Sequence, residues 1–221
     1  MNAHRTWVLL VLTLSVAANC KKTPENALSL SGVITDIRTG EGVTGVDVTL
    51  EEQVVASGVW VGTWSEAGAA STDAAGRYEI GFGRQNALAY QTRATKPLFF
   101  PAKQDISADN WRGETTSEWH ASLVPKGWAA ISFVNSQPFG SPEATYVDFR
   151  LLHTNPLNLP VCGTDWTHFI GNALPAPSVC LLEGDRYLPY TLEVERDGDL
   201  SVLIDSVYIN RFDTTALQIL F

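Results

Sequence analysis

Apolar residues in this 221-residue chain recur in short alternating runs. No long stretch keeps the 3.6-residue apolar period of an amphipathic helix. GVITDI, VDVTLEEQV, GRYEIGF, LAYQTRAT, AAISFVN, TYVDFRLLH, YTLEVE, LSVLIDSVYI and TALQILF instead alternate or are rich in β-branched and aromatic residues. Gly, Pro, Asp and Asn separate these runs, as they separate the strands of a sandwich. Hairpin turns are marked at Asp73-Ala74-Ala75-Gly76 and at Arg196-Asp197-Gly198-Asp199, the second carrying the strong Asp-Gly signal. The pattern predicts an all-β protein of two β-sandwich domains. The break falls at Leu123-Val124-Pro125-Lys126-Gly127, which assigns residues 28–124 to the first and 125–221 to the second. The terminal run TTALQILF reads as a strand paired in a sheet.

The first unit opens with three motifs in order. Gly32-Val33-Ile34-Thr35-Asp36-Ile37-Arg38-Thr39-Gly40 comes first, then Gly45-Val46-Asp47-Val48-Thr49-Leu50, then Thr72-Asp73-Ala74-Ala75-Gly76-Arg77-Tyr78-Glu79-Ile80. Asp36 and Thr39 can satisfy turn amides, and Gly40 and Gly76 can supply positive φ. Val46, Val48 and Leu50 point to one side of a strand, as do Tyr78 and Ile80, and both sets would fill one core. Together the motifs resemble the carboxypeptidase regulatory-like (transthyretin-like, prealbumin-like) β-sandwich domain. That resemblance implies an Ig-like structural module that folds beside other modules without catalysing anything.

The N-terminus MNAHRTWVLLVLTLSVAANC has a short basic start at His4 and Arg5, an apolar segment from Trp7 to Val16, and a small-residue exit. The segment is shorter than the roughly 20 residues a bilayer-spanning helix needs, so residues 1–19 read as a secretory signal peptide. Cys20 at the exit and Lys21-Lys22 after it resemble a bacterial envelope lipoprotein signal, which implies that Cys20 carries the lipid. Residues 20–27 then form a tether, and several acyl chains make stable anchoring. The expected location is the outer membrane of a Gram-negative bacterium, and KKTPEN, with Glu25 as its one acid, leans towards the periplasmic side.

Formal net charge is −9, and no Lys/Arg cluster follows Lys21-Lys22, so a nucleic-acid partner is not expected. No Lys occurs between Lys22 and Lys96, which excludes a crosslinked adhesin-type sandwich needing an early-strand Lys opposite a late-strand Asn.

Cys162 and Cys180 make an even pair in an exported chain, and a disulfide closing a Pro- and Gly-bearing loop is the default expectation. A metal set of Cys162, Asp165, His168 and Cys180 has no standard zinc spacing. No G-x-S-x-G, H-E-x-x-H or glycine-rich phosphate loop occurs. His120 and His153 read as packing or surface residues, Glu51, Glu52, Glu193 and Glu195 as solvated strand faces, and Asp197 and Asp199 as turn residues. No catalytic residue, metal site or cofactor is expected. Trp60 and Trp64, in a long insertion, and Trp111 and Trp119, in a polar loop, are the candidate ligand contacts, with packing over the sandwich ends as the competing role. The expected function is a non-enzymatic, lipid-anchored envelope protein that binds or scaffolds a protein or glycan partner at the outer membrane. A carbohydrate-binding accessory protein using exposed Trp, and a hydrolase centred on Asp165 and His168, are the alternatives.

Overall fold

The computed structural model describes residues 27–56, 59–60, 62–136, 145–152, 157, 159–163, 165–171 and 173–221, with the side chains of 55, 56, 59 and 60 left out of account. The signal segment and Cys20 lie outside the described residues. Sixteen strands, a single 3-10 turn at Ala108–Trp111 and no α-helix are found among them.

In the first sandwich, β1 (Ala27–Asp36) pairs antiparallel with β5 (Arg77–Gly83) and, on its other side, parallel with β8 (Thr116–Glu118) and β9 (Ala121–Leu123). The facing sheet centres on β2 (Asp47–Ala56). It is flanked by β6 (Ala87–Thr95) and then β7 (Ala102–Ser107) on one side, and by β3 (Val59–Trp60) and β4 (Ser65–Ser71) on the other. Strand alternation sends Leu28, Leu30, Ile34, Tyr78, Ile80 and Phe82 from one sheet against Val46, Val48, Leu50, Tyr90 and Ala94 from the other, and all are buried in one cluster.

The three motifs hold this sandwich together. Asp36 accepts the Arg38 amide at 2.7 Å, and Gly40 has φ 73°. The Thr72 hydroxyl accepts the Val46 amide at 2.9 Å and donates to the Val43 carbonyl at 2.6 Å. Asp73 caps its turn by accepting the amides of Ala75 and Arg77, each at 2.8 Å. Gly76 has φ 74°, and a Cβ there would sit 2.3 Å from the Ile34 carbonyl oxygen. No larger residue fits that approach.

In the second sandwich, β10 (Lys126–Val134) lies between β13 (Ser178–Glu183) and the parallel β16 (Thr214–Leu220). The other sheet runs β12 (Thr167–Ile170), β11 (Thr145–Leu151), β14 (Arg186–Arg196), β15 (Asp199–Ile209). Ala129, Ile131, Phe133, Leu217 and Ile219 meet Val147, Phe149, Leu188, Tyr190 and Leu192 in a separate core. Asp197 and Gly198 make the two-residue β14–β15 turn at φ 52° and 90°, both positive as a type I′ turn requires.

Cys162 and Cys180 form a disulfide with Cα atoms 5.6 Å apart. The segment it closes is not the plain loop expected. β12 lies inside it, paired with β11, because Phe169 turns inward against Phe133 and Phe221 at 4.8 and 5.5 Å between ring centroids. Strands β4, β7, β8, β9 and β13 were likewise not legible as runs.

A reciprocal ionic clasp joins the sandwiches. Arg38, in the turn after β1, bonds the Glu183 carboxylate and donates to the Gly184 carbonyl at 3.3 Å. Arg211, in the turn after β15, reaches back to buried Asp36 at 2.9 Å and also bonds Asp185. Arg186 adds a second cation to Glu183 at 2.8 Å. Burial alone would lower the pKa of Arg211, but its hydrogen bonds to Asp185 and Asp36 outweigh that and raise it above the usual guanidinium value. A backbone bond crosses beside the clasp, from the Lys126 amide to the Leu98 carbonyl at 2.8 Å. Phe99 and Phe212 pack edge-on at 5.1 Å.

Two stability predictions follow from this architecture. Replacing both Cys162 and Cys180 by Ser is expected to cost about 3 kcal/mol in denaturant unfolding, the value for a loop of this size. Arg211→Ala is expected to cost about 2–3 kcal/mol, because it strands buried Asp36 without its cation. An Asp36→Asn/Arg211→Ala double variant should lose less than the sum of its parts, measured by the same titration.

Candidate functional site

The residues singled out in the sequence do not converge. Trp111 and Trp119 are buried, and the expectation that they meet a ligand is corrected. The Trp111 indole donates to the Ser29 carbonyl at 3.3 Å and packs edge-on to Tyr90 at 4.7 Å. The Trp119 indole donates to the Gln104 side chain at 2.9 Å. Each large apolar ring has found a core place and a partner for its N–H, which is what a buried Trp requires. Trp64 remains 36% exposed at the start of the β4 edge. The Trp60 side chain lies outside the described residues, and its backbone pairs with Val55.

The disulfide leaves Cys162 no thiolate, which removes both the metal set and a Cys162–His168 nucleophile. The His168 ring bonds Asp148 on the neighbouring strand rather than Asp165, and both side chains stand on an open sheet face. Beside them Arg150 stacks over Trp166 at 4.5 Å. Among the described residues no group of three or more His, Cys, Asp or Glu could hold a metal ion. His120 accepts the Val33 amide through Nδ1 at 3.1 Å, while His153 lies outside the described residues.

Glu52 departs from its expected solvated face. It continues the inward row of Val48 and Leu50, is 3% exposed, and its Oε2 has no hydrogen-bond partner among the described residues. Burial raises its pKa above the ordinary carboxylate value. A register shift between Leu50 and Glu51 in the β2–β4 pairing accompanies the change from an apolar row to an acid.

The feature that stands out is β15. Its eleven residues, DLSVLIDSVYI, pair without a register shift along β14 and, among the described residues, with no other strand. Val207, Leu203 and Ser201 lie opposite the inward residues Leu188, Leu192 and Val194, so they belong to the core side of the sheet. Among the described residues the facing sheet has three strands, against four in the sheet that ends in β15. From Asp199 to Asp205 both faces are exposed, while Val207 and Ile209 pack into the core. Leu203 is 48% exposed on the core side, and Leu200, Val202 and Ile204 are 63%, 55% and 69% exposed on the other.

Natural edge strands are usually protected by Lys, Pro, a bulge, an inward-pointing charge or shortness, and of these β15 has only the inward-pointing Asp205, opposite buried Tyr190. β12 has four residues, β7 carries Lys103 and Asp105, and β5 carries Arg77 and Glu79. β15 has no basic residue, Pro, Gly or bulge. Its rim is acidic, with Glu193 and Glu195 on β14, Asp197 in the turn, and Asp199 and Asp205 on the strand itself. An apolar, acid-rimmed edge of this length can accept an added strand through its free backbone groups.

No protein-family model matches the chain, and no curated protein matches it. Among solved structures, the chain is similar to the minor pilin GBS52 of Streptococcus agalactiae, at 13% identity and TM-score 0.36, covering 87% of this chain and 94% of that one. It is similar to the shaft pilin SpaA of Lactobacillus rhamnosus GG at 12% identity and TM-score 0.31, covering 88% and 96%. It is also similar to the TIE protein of Bacillus anthracis at 11% identity and TM-score 0.38, covering 88% of this chain but only 33% of that protein. At such scores the likeness does not extend to function.

Glu52 provides a pH test. Its folded-state pKa is raised, so the folded protein binds the proton more tightly than the unfolded chain, and this residue destabilises the fold as pH rises above the ordinary Glu range. Glu52→Gln is expected to raise unfolding free energy by about 1 kcal/mol or more at pH 7. The gain should vanish near pH 4, where Glu52 is already neutral, in denaturant titrations at the two pH values.

Proposed function

We propose that this is a non-enzymatic envelope protein, anchored through lipid on Cys20, that scaffolds a protein partner by strand addition to β15. In this reading residues 28–124 form a carboxypeptidase regulatory-like domain, as their motifs suggest, and residues 125–221 form a second domain that presents the binding edge. The long β15 edge, guarded only by acids, carries the proposal. Main-chain hydrogen bonds along the free side of β15 would supply affinity, and packing against the exposed Leu200, Val202 and Ile204 side chains would supply specificity. The acidic rim selects the occupant: an extended, apolar segment carrying Lys or Arg, not a second acidic copy of this chain. The sheet-face pair His168–Asp148 lies in the open and has no role in catalysis here.

A photo-crosslinking side chain at position 204, expressed in intact cells, is expected to yield one discrete protein adduct. The same group at position 79, on the first sandwich, should yield none. An absence of any adduct at 204 while the protein remains in the membrane fraction would sink the partner reading. Cys20→Ala tests the anchor separately, with release of the protein into the soluble fraction as the expected result. In vitro, Ile204→Lys is expected to slow aggregation of the purified protein without lowering its unfolding temperature, since a charge on an open edge blocks edge-to-edge pairing.

A further inference from the structure

The basic side chains of this acidic protein are not spread evenly. Lys96, Lys103 and Lys126 are all the lysines among the described residues, and they gather with Arg93 at one place on the first sandwich beside the junction. A groove of about 300 Å³ runs between the end of β6, the turn that follows it and the start of β10. Arg93, Lys96 and Lys126 line it with one acid, Asp47, and Phe99 and Pro101 add apolar surface.

None of the four cations forms an ion pair with a carboxylate among the described residues. Arg38, Arg112, Arg186 and Arg211 are each ion-paired, whereas Arg84 bonds carbonyls and Arg150 stacks on Trp166, so what marks the groove is that its unpaired cations are gathered in one place. Lys96 donates to the neutral Thr44 carbonyl, and the Lys126 ammonium lies 5.6 Å from the centre of the Phe100 ring. Both lysines are half-buried. Arg93 and Lys103 stand directly opposite each other across β6 and β7, and like charges so placed repel.

The turn that positions Lys96 is itself strained. Leu98 holds φ 67°, a left-handed conformation that a leucine seldom adopts. It is kept there by the bond from the Lys126 amide to the Leu98 carbonyl and by the bridge between Phe99 and Pro125. Half-buried Lys96 and Lys126, and Arg93 beside the like-charged Lys103, face a single acid, Asp47, and this excess of positive charge would be offset by an anion in the groove.

We infer that this groove binds a multiply charged anion, bearing phosphate or carboxylate groups and no larger than a disaccharide, through Arg93, Lys96 and Lys126. Lysines act as point charges towards such groups, and Arg93 adds a planar donor fork. The anion could belong to a soluble acidic saccharide or to a lipid headgroup at the membrane surface. Their shared chemistry is what the groove reads.

The soluble protein lacking residues 1–20 would be titrated calorimetrically with inorganic pyrophosphate, with digalacturonate and with uncharged cellobiose, and sedimented with vesicles containing phosphatidylglycerol. Binding of a soluble anion that weakens as salt rises to physiological strength is the expected result. Cellobiose should not bind. A Lys96→Gln/Lys126→Gln variant of unchanged circular dichroism should bind at least about tenfold more weakly, as loss of charge-assisted hydrogen bonds predicts. Vesicle binding without soluble-anion binding, abolished by the same variant, would assign the source to a headgroup. Failure of every anionic probe at low salt, or equal binding by the double variant, would overturn the inference. Lys103→Gln supplies an independent readout: it should raise the unfolding temperature of the free protein, and saturating pyrophosphate should shrink that gain. An unchanged or lowered unfolding temperature would count against the stored repulsion.

Discussion

Buried Asp36 is the residue on which the two halves of this molecule agree. One carboxylate oxygen closes the turn after β1 by accepting the Arg38 amide, and the other accepts Arg211 from the second sandwich. Arg38, placed by that same turn, reaches the opposite way to Glu183 and Gly184. A local turn motif and a long-range ion pair thus share one side chain, and the geometry of each fixes the other. Three of the four non-glycine residues with positive φ among the described residues, Leu98, Asp185 and Phe212, sit in the turns that meet here. Strained conformations persist only where their surroundings over-determine them. Here the surroundings are the crossed arginines, the backbone bonds at Pro125 and Lys126, and the Phe99–Phe212 contact.

Among the described residues the second sandwich pairs a sheet of three strands with a sheet of four, and that mismatch bears on what is exposed. The long β14–β15 hairpin, set in register by its Asp197-Gly198 turn, leaves β15 as the last strand of the larger sheet. Its alternation would suit a half-buried strand, yet from Asp199 to Asp205 both rows of side chains remain open, and only Val207 and Ile209 reach the core. Burial of Leu200, Val202, Leu203 and Ile204 would be favourable by roughly 1.5–3 kcal/mol each if complete, and a partner strand would capture part of that. No interaction within the described chain does so.

Strand positions were legible because the alternating runs and the Asp-Gly and Thr-Asp-x-x-Gly turns are local signals. Val46, Val48, Leu50, Tyr78 and Ile80 fill the core that their spacing implied, and the two cysteines bridge as their number implied. What failed was anything that depends on which strands become neighbours. Short strands such as β8 and β12 exist only because a longer partner offers them an edge. Trp111 and Trp119 sit in polar sequence, but the fold carries DNWRGETTSEWH across the end of the first sandwich and turns both rings inward. Glu52 looked like the polar half of an alternating pair, and the shift in register before Glu51 marks where that pattern breaks. The exposure of β15 could not be read from DLSVLIDSVYI, which has the composition of a covered strand.

The lysines show the same limit from the other side. Lys96, Lys103 and Lys126 are too widely spaced in sequence to count as a cluster, and a net charge of −9 made a basic site look improbable. The β6–β7 register and the backbone bond from Lys126 to Leu98 bring them to one groove. Charge is therefore segregated, with acids around β15 and unpaired cations beside the junction. The clasp through Asp36 and Arg211 holds these two surfaces in fixed relation, since Lys126 begins the strand that enters the second core while Arg93 and Lys96 belong to the first sandwich. A flexible linker would let the groove close or open with domain motion. A crossed ion-pair joint with strained, mutually bonded turns keeps the groove formed before any ligand arrives.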